Sequence, residues 1–211
     1  MKNYSYYLFD WNGTLLDDRD INIEIENLLL SRRGLPQLPS EEYYLSNFGF
    51  PIIDFYIALG FDCEKESYKA VAVEYAEEYE KRISSAPLFD DVKDMLEELS
   101  SKNKKLVIIS ATEHNLLNAQ VEKYGIKGYF SSVLGIENNL GKSKVDRALQ
   151  WLSEENASPE DTLFIGDTEH DYETARAIGC DCVLIPRGHN SKERLEKTGA
   201  VVKGSLKEML L

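Results

Sequence analysis

The sequence predicts an α/β fold: a parallel sheet covered by helices on both faces, interrupted by an all-helical module. Three observations carry this. Short apolar runs alternate with segments of helical period, each run ends at a polar or turn residue, and the stretch 16–86 contains helical patterns alone. Strands that alternate with helices in this way imply right-handed βαβ crossovers, and those require a parallel sheet.

The first run, Tyr4–Phe9, stops at Asp10. Helical period then appears at Ile21, Ile25, Leu28 and Leu29, at Ile52, Phe55, Tyr56 and Leu59, and at Tyr68, Val71, Tyr75 and Tyr79, with breaks at Gly34-Leu35-Pro36, Gly49-Phe50-Pro51 and Gly60. Alternation resumes with a helix on Val92, Met95, Leu96 and Leu99, the run Leu106–Ile109 before Ser110, and a helix on Leu116, Leu117 and Val121 closed by Gly125. Next come Tyr129–Leu134 before Gly135, a helix on Val145, Leu149 and Leu152, and Thr162–Ile165 before Gly166-Asp167. A helix on Ala175 and Ile178 closed by Gly179 leads to Cys182–Ile185, and Gly204–Leu211 reads as a closing helix. The organisation expected is a core of 1–15 and 87–211 with an inserted helical domain of 16–86.

Charge and composition exclude several classes. The 211 residues carry 24 Lys+Arg against 37 Asp+Glu, a formal charge of −13, so the chain lacks the basic footprint that phosphate-backbone binding needs. Nucleic acid is not expected as a partner. No stretch has the roughly 18 apolar residues of a membrane span, and Met1-Lys2-Asn3-Tyr4 opens no long apolar leader, so a cytoplasmic protein without membrane contact is expected, as monomer or homodimer. Cys63, Cys180 and Cys182 fit neither a disulfide framework nor a zinc cluster.

In an open parallel sheet the strand ends gather at one edge, where ligands bind. Three strands bring polar residues there: Asp10-Trp11-Asn12-Gly13-Thr14, Ser110-Ala111-Thr112 and Gly166-Asp167-Thr168-Glu169-His170-Asp171. Asp10, Asp167 and Asp171 would repel one another in a confined site unless a cation lies between them, and Mg²⁺ suits hard carboxylate oxygens. With Lys142 as a second positive charge and Ser110 as a hydroxyl, the set describes a phosphate site.

These motifs, in this order and at strand ends, resemble those of the haloacid dehalogenase superfamily, in its Mg²⁺-dependent phosphatase branch with a helical cap, of the phosphoglycolate phosphatase and β-phosphoglucomutase type. The resemblance covers nearly the whole chain. It implies a Rossmann-like sheet of order 3-2-1-4-5, a cap over 16–86, and hydrolysis of a small phosphorylated metabolite through an aspartyl-phosphate on Asp10. It further implies a metal held by Asp10, the Asn12 main chain and Asp167 with Asp171 in support, and phosphate held by Gly13, Thr14, Ser110, Ala111 and Lys142. Lys142 is preferred to Lys144 on its 25-residue interval to Asp167.

One position departs from the pattern. Where phosphatases of this family carry an acid–base Asp, this chain has Asn12, and an amide has no titratable proton at neutral pH. Losing general acid–base help typically costs on the order of 10²–10⁴ in rate. A slow or specialised hydrolase is therefore expected, with catalytic roles for Asp10 and Asn12. A sugar-phosphate mutase or other phosphotransferase, a phosphonate hydrolase and a non-catalytic phosphate-binding protein are the alternatives. Partial deamidation of Asn12-Gly13 to Asp is a further route to activity. The acidic run Glu74–Glu80 reads as a solvated helix face, and Arg32, Arg33, Arg82 and the loop Phe48-Gly49-Phe50 are candidates for substrate contact.

Overall fold

A computed structural model describes residues 2–136 and 143–209. Its sheet has six parallel strands: β1 (Tyr6–Phe9), β2 (Lys105–Glu113), β3 (Phe130–Ile136), β4 (Thr162–Gly166), β5 (Asp181–Leu184) and β6 (Val201–Val202), in the order β3-β2-β1-β4-β5-β6. The expected order 3-2-1-4-5 holds. The sixth strand is a two-residue edge, too short to register as an apolar run.

β1 lies at the centre, with Tyr6 opposite Lys105 of β2 on one side and Thr162 of β4 on the other. Its side chains are buried on both faces, which is why it reads as a continuous apolar run rather than an alternating one. Leu8 packs on one face with Val107, Phe164 and Trp151, while Tyr7 and Phe9 pack on the other with Leu106, Ile108 and Ile165.

Core helices cover the two faces: α5 (Val92–Ser101), α6 (His114–Lys123), α7 (Lys144–Glu154), α8 (Glu169–Ile178) and the short α9 (Lys192–Lys197). Four helices fill the insertion after β1: α1 (Arg19–Arg32), α2 (Glu41–Asn47), α3 (Ile52–Ala58) and α4 (Tyr68–Arg82). α2 is the helix that periodicity missed. It is a two-turn segment whose start comes from Ser40, which accepts a hydrogen bond from Tyr43 N, rather than from an apolar stripe.

The insertion is pinned to the core beyond β5. Ser191 N donates to the Leu45 carbonyl at 3.1 Å, and Asn190 Nδ2 and Arg194 Nη1 donate to the Phe48 carbonyl at 2.9 and 2.5 Å. These bonds hold the end of α2 over the sheet edge where β1 and β4 finish.

Candidate active site

Chain direction and sheet order place the carboxylates. Asp10 directly follows β1, and its N–H donates to Ile165 O of β4 at 2.9 Å, so the ladder persists to the point where the side chain leaves the sheet. Asp167 follows β4, and Asp171 lies in the first turn of α8. One oxygen of each lies within 4.8 Å of the others, and all three are buried.

Asp171 is tied down by local sequence. Thr168 caps α8, and Asp171 Oδ2 accepts from Thr168 Oγ1, Thr168 N and Asp167 N at 2.7, 3.0 and 3.1 Å. Its other oxygen and Asp10 Oδ1 each accept from Lys144 Nζ at 2.5 Å. Lys144, at the start of α7, is thus the lysine the structure brings to the carboxylates, while Lys142 lies outside the described residues.

Asp167 is held from three sides. Oδ1 accepts from Thr14 Oγ1 and Oδ2 from His189 N, both at 2.7 Å. A Cβ on Gly188 would lie 2.1 Å from Oδ2, and one on Gly13, whose φ is +71°, would lie 2.4 Å from it. Both loops approach so closely that no side chain fits between backbone and carboxylate.

Electrostatics mark the cluster as short of positive charge. Burial, against the pull of Lys144 and with Asp171 and Asp167 adding to it, pushes the Asp10 carboxyl up to about 8. Burial, opposed by His189 and reinforced by Asp171, raises Asp167 to about 6. Buried carboxylates that resist ionisation together form the donor set a hard divalent cation fits.

Asn12 sits beside this cluster with its amide fully engaged. Nδ2 donates to Asp18 Oδ2 at 2.8 Å and to the Tyr79 hydroxyl, and Oδ1 accepts from Thr112 Oγ1 at 2.7 Å. Asp18 also accepts from Tyr79 Oη at 2.9 Å and from Gly13 N at 2.9 Å, and pairs with His189 Nε2 at 3.2 Å. Burial alone would lower the His189 pKa, but Asp18, helped by Asp167 and Asp10, raises it to about 9.

These contacts bear on two of the expected phosphate ligands. The Gly13 N–H is taken by Asp18 and Leu16 O, and Thr14 is fully buried with its hydroxyl on Asp167. Neither is among the residues that line the cavity, because the turn after β1 uses the Gly13 N–H and the Thr14 hydroxyl to hold itself and Asp167. Ser110 and Ala111 do line the cavity. The cap of α6 is Glu113, accepting from Leu116 N at 2.9 Å, since β2 runs three residues past Ser110.

The cavity of about 280 Å³ runs from Asp10 into the insertion, between α1 and α4. Asp18, Asn22 and Glu26 follow one another at helical spacing along α1, opposite Tyr75 and Tyr79 of α4. The run Glu74–Glu80 is a solvated face only in part: Ala76, Glu77 and Glu80 are exposed, whereas Tyr75 and Tyr79 line the cavity and Glu78 is buried beneath Arg32, Lys81 and Arg82. Arg32 and Arg33 are engaged by Glu74, Glu78 and Glu66, away from the cavity, whereas Phe48 and Phe50 line it.

Glu26 is 1 % exposed, and its Oε2 has no hydrogen-bond partner. Burial pushes its carboxyl from the usual range up to about 8. A raised carboxyl favours the fold fully below its unfolded pKa of about 4.5 and loses that contribution as pH rises through about 8. Glu26→Gln, which cannot ionise, is therefore expected to gain thermal stability relative to the parent chain between about pH 4.5 and pH 8. Melting curves at both ends of that window check it, and a constant difference between the two proteins would refute the assignment.

The chain is similar to known proteins over most of its length. A family model described as haloacid dehalogenase-like hydrolase matches residues 7–185. The phosphoglycolate phosphatase of Aquifex aeolicus is 30% identical over 195 residues, 86% of this chain and 84% of that protein. The tyrosine-protein kinase PtkA of Mycobacterium tuberculosis is 25% identical over 197 residues, 92% of this chain, and the chain spans 66% of that protein's length. Among solved structures, the haloacid dehalogenase-like hydrolase SP0104 of Streptococcus pneumoniae superposes with a TM-score of 0.85 at 23% identity, covering 100% of this chain and 98% of that one.

Proposed function

Because the chain belongs to the haloacid dehalogenase-like hydrolases, we propose that it is a Mg²⁺-dependent phosphatase acting on a small phosphorylated metabolite through an aspartyl-phosphate on Asp10. The observation that carries this reading is the position of Asp10. It stands at the end of the central strand, beside two further buried carboxylates and Lys144, at the mouth of a cavity sized for a small molecule.

Asp10 attacks phosphorus through a carboxylate oxygen. The bond from phosphorus to the leaving oxygen breaks and its electron pair departs with that oxygen, giving an acyl phosphate. Water then attacks the same phosphorus, the Asp10–phosphorus bond breaks, and inorganic phosphate and the free carboxylate result. Asp10, Asp167 and the Asn12 main-chain carbonyl would hold Mg²⁺, which would supply neutralisation of the charge on nucleophile and phosphate. Asp171, with both oxygens already engaged, orients Lys144 and the α8 cap. Lys144 offers its ammonium to the phosphate oxygens, Ser110 its hydroxyl and Ala111 its N–H. Residues 16–86 act as the cap that covers the reacting centre and excludes water.

Asn12 gives the leaving oxygen no proton. The chain is thereby specialised toward esters whose leaving group departs without protonation, or works slowly on the rest. The test is phosphate release from an aryl phosphate, with and without Mg²⁺ and after chelation. Release that Mg²⁺ restores supports the reading, and the absence of any metal-dependent release overturns it.

A further inference from the structure

The insertion end of the cavity is built for positive charge. Lys144 and His189, the cations among the described lining residues, both belong to the core end, and His189 is already paired with Asp18. Toward the insertion the carboxyl groups among the described lining residues are those of Asp18 and Glu26. Asp18 is saturated by Asn12, Tyr79, Gly13 and His189. Glu26 is not, since its buried Oε2 accepts from nothing in the protein.

An unpaired buried acceptor is unfavourable unless something fills it, and Glu26 is among the residues that line the cavity. Phe48, Tyr56 and Tyr75 line the same space, and aromatic faces attract cations. Asn22 cannot satisfy Glu26: its amide is spent on Asp18, and its oxygen accepts from Tyr75. From Asp18 to Glu26 the helix rises about 12 Å, so a group reaching Glu26 from a phosphate at Asp10 hangs on an arm of several atoms. A carboxylate on that arm would meet a second carboxyl at an end of the cavity where the described lining residues include no cation.

We infer that the phosphate ester bound here carries a primary ammonium group on its alcohol portion, donated to Glu26 Oε2 and flanked by Tyr56 and Tyr75. The inference deepens the phosphatase reading and rests on it for the placement of the phosphate. A substrate of the phosphoglycolate kind, with a carboxylate on the alcohol portion, is disfavoured in this chain by the same argument.

Three alkyl phosphates of equal chain length, ending in an amine, a hydroxyl or a carboxylate, test it alongside the aryl phosphate, with the parent protein and Glu26→Gln. In the parent protein the amino ester is expected to exceed the hydroxy ester in kcat/KM by about tenfold or more, the scale of one charge-assisted hydrogen bond, and the carboxy ester to be poorest. Glu26→Gln should abolish the amine's advantage over the hydroxyl. Equal rates for the three esters, a preference for the carboxy ester, or an advantage that persists in Glu26→Gln overturns the inference. If no ester, the aryl phosphate included, releases phosphate, the phosphatase reading has failed instead. Calorimetric binding of the same three esters then decides: tighter amine binding that Glu26→Gln removes sustains the ammonium site, and its absence rejects it.

Discussion

Asp10→Asn is expected to lower Mg²⁺-dependent phosphate release from an aryl phosphate by about 10⁴-fold or more, the scale of losing a nucleophile. The fold should survive the change. Asp10 is one of three crowded carboxyls, burial already holds it toward its neutral form, and Lys144 keeps its second partner in Asp171. The comparison is therefore one of chemistry rather than of folding, and near-equal melting temperatures of the two proteins check that. Mass spectrometry of rapidly quenched parent protein should find phosphate on the peptide containing Asp10, and none in the variant. Asp10→Asn retaining a tenth of the parent rate would rule out the aspartyl-phosphate route.

Asn12→Asp is the second large expectation, and its sign differs between activity and stability. The new carboxyl would stand where the Asn12 amide now lies 2.8 Å from Asp18 Oδ2. Two carboxyls at that distance cannot both ionise, so one proton is retained between them at neutral pH. That proton is what an alkoxide leaving group lacks in the parent chain. Release from an alkyl phosphate should rise by about 10²-fold, while release from the aryl phosphate, whose leaving group needs little help, should change much less. The variant should also melt at lower temperature, since the amide donations to Asp18 and the Tyr79 hydroxyl are lost. An equal gain on both esters would mean that the residue acts elsewhere than on the leaving group. The starting protein must be shown by mass to carry intact Asn12.

Much of this site could be read in the sequence because sheet topology does the positioning. Asp10, Ser110 and Asp167 each end or follow an apolar run, and parallel strands with β1 at the centre gather those ends at one edge whatever the details of packing. Asp171 is legible for a different reason: Thr168 and Asp171 form a helix cap that fixes its place by spacing alone. The choice between Lys142 and Lys144 was not legible, because both fall in the same short span and a two-residue difference moves a side chain by less than a helical turn.

The insertion was the harder part. Asp18, Asn22 and Glu26 recur at helical spacing next to Ile25 and Leu29, so polar residues share the buried side of α1. That pattern was available as a signal, though an apolar stripe drawn through Ile21, Ile25, Leu28 and Leu29 passes over it. For Tyr75 and Tyr79 the surrounding glutamates misled: the helix buries its aromatics toward α1 and satisfies Glu78 with arginine and lysine. His189 follows Gly188 in a loop with no period, and no local pattern announces it.

The central place of β1 bears on how the protein comes off the ribosome. Tyr6 pairs with Lys105 and with Thr162, so the middle strand of the sheet is made first and its second partner about 150 residues later. At typical translation rates of about 5–20 residues per second, that interval is on the order of ten seconds. During it the strand Tyr6–Phe9 can pair with β2 once Lys105–Ile108 is made, but its β4 side stays open, while the helices of 16–86 can form at once. Synthesis thus extends the sheet outward from β1 on one side, then on the other, and completion of the core waits on β4. Release of a nascent chain truncated before Thr162 leaves the central strand of the sheet with an open edge, which makes such fragments aggregation-prone.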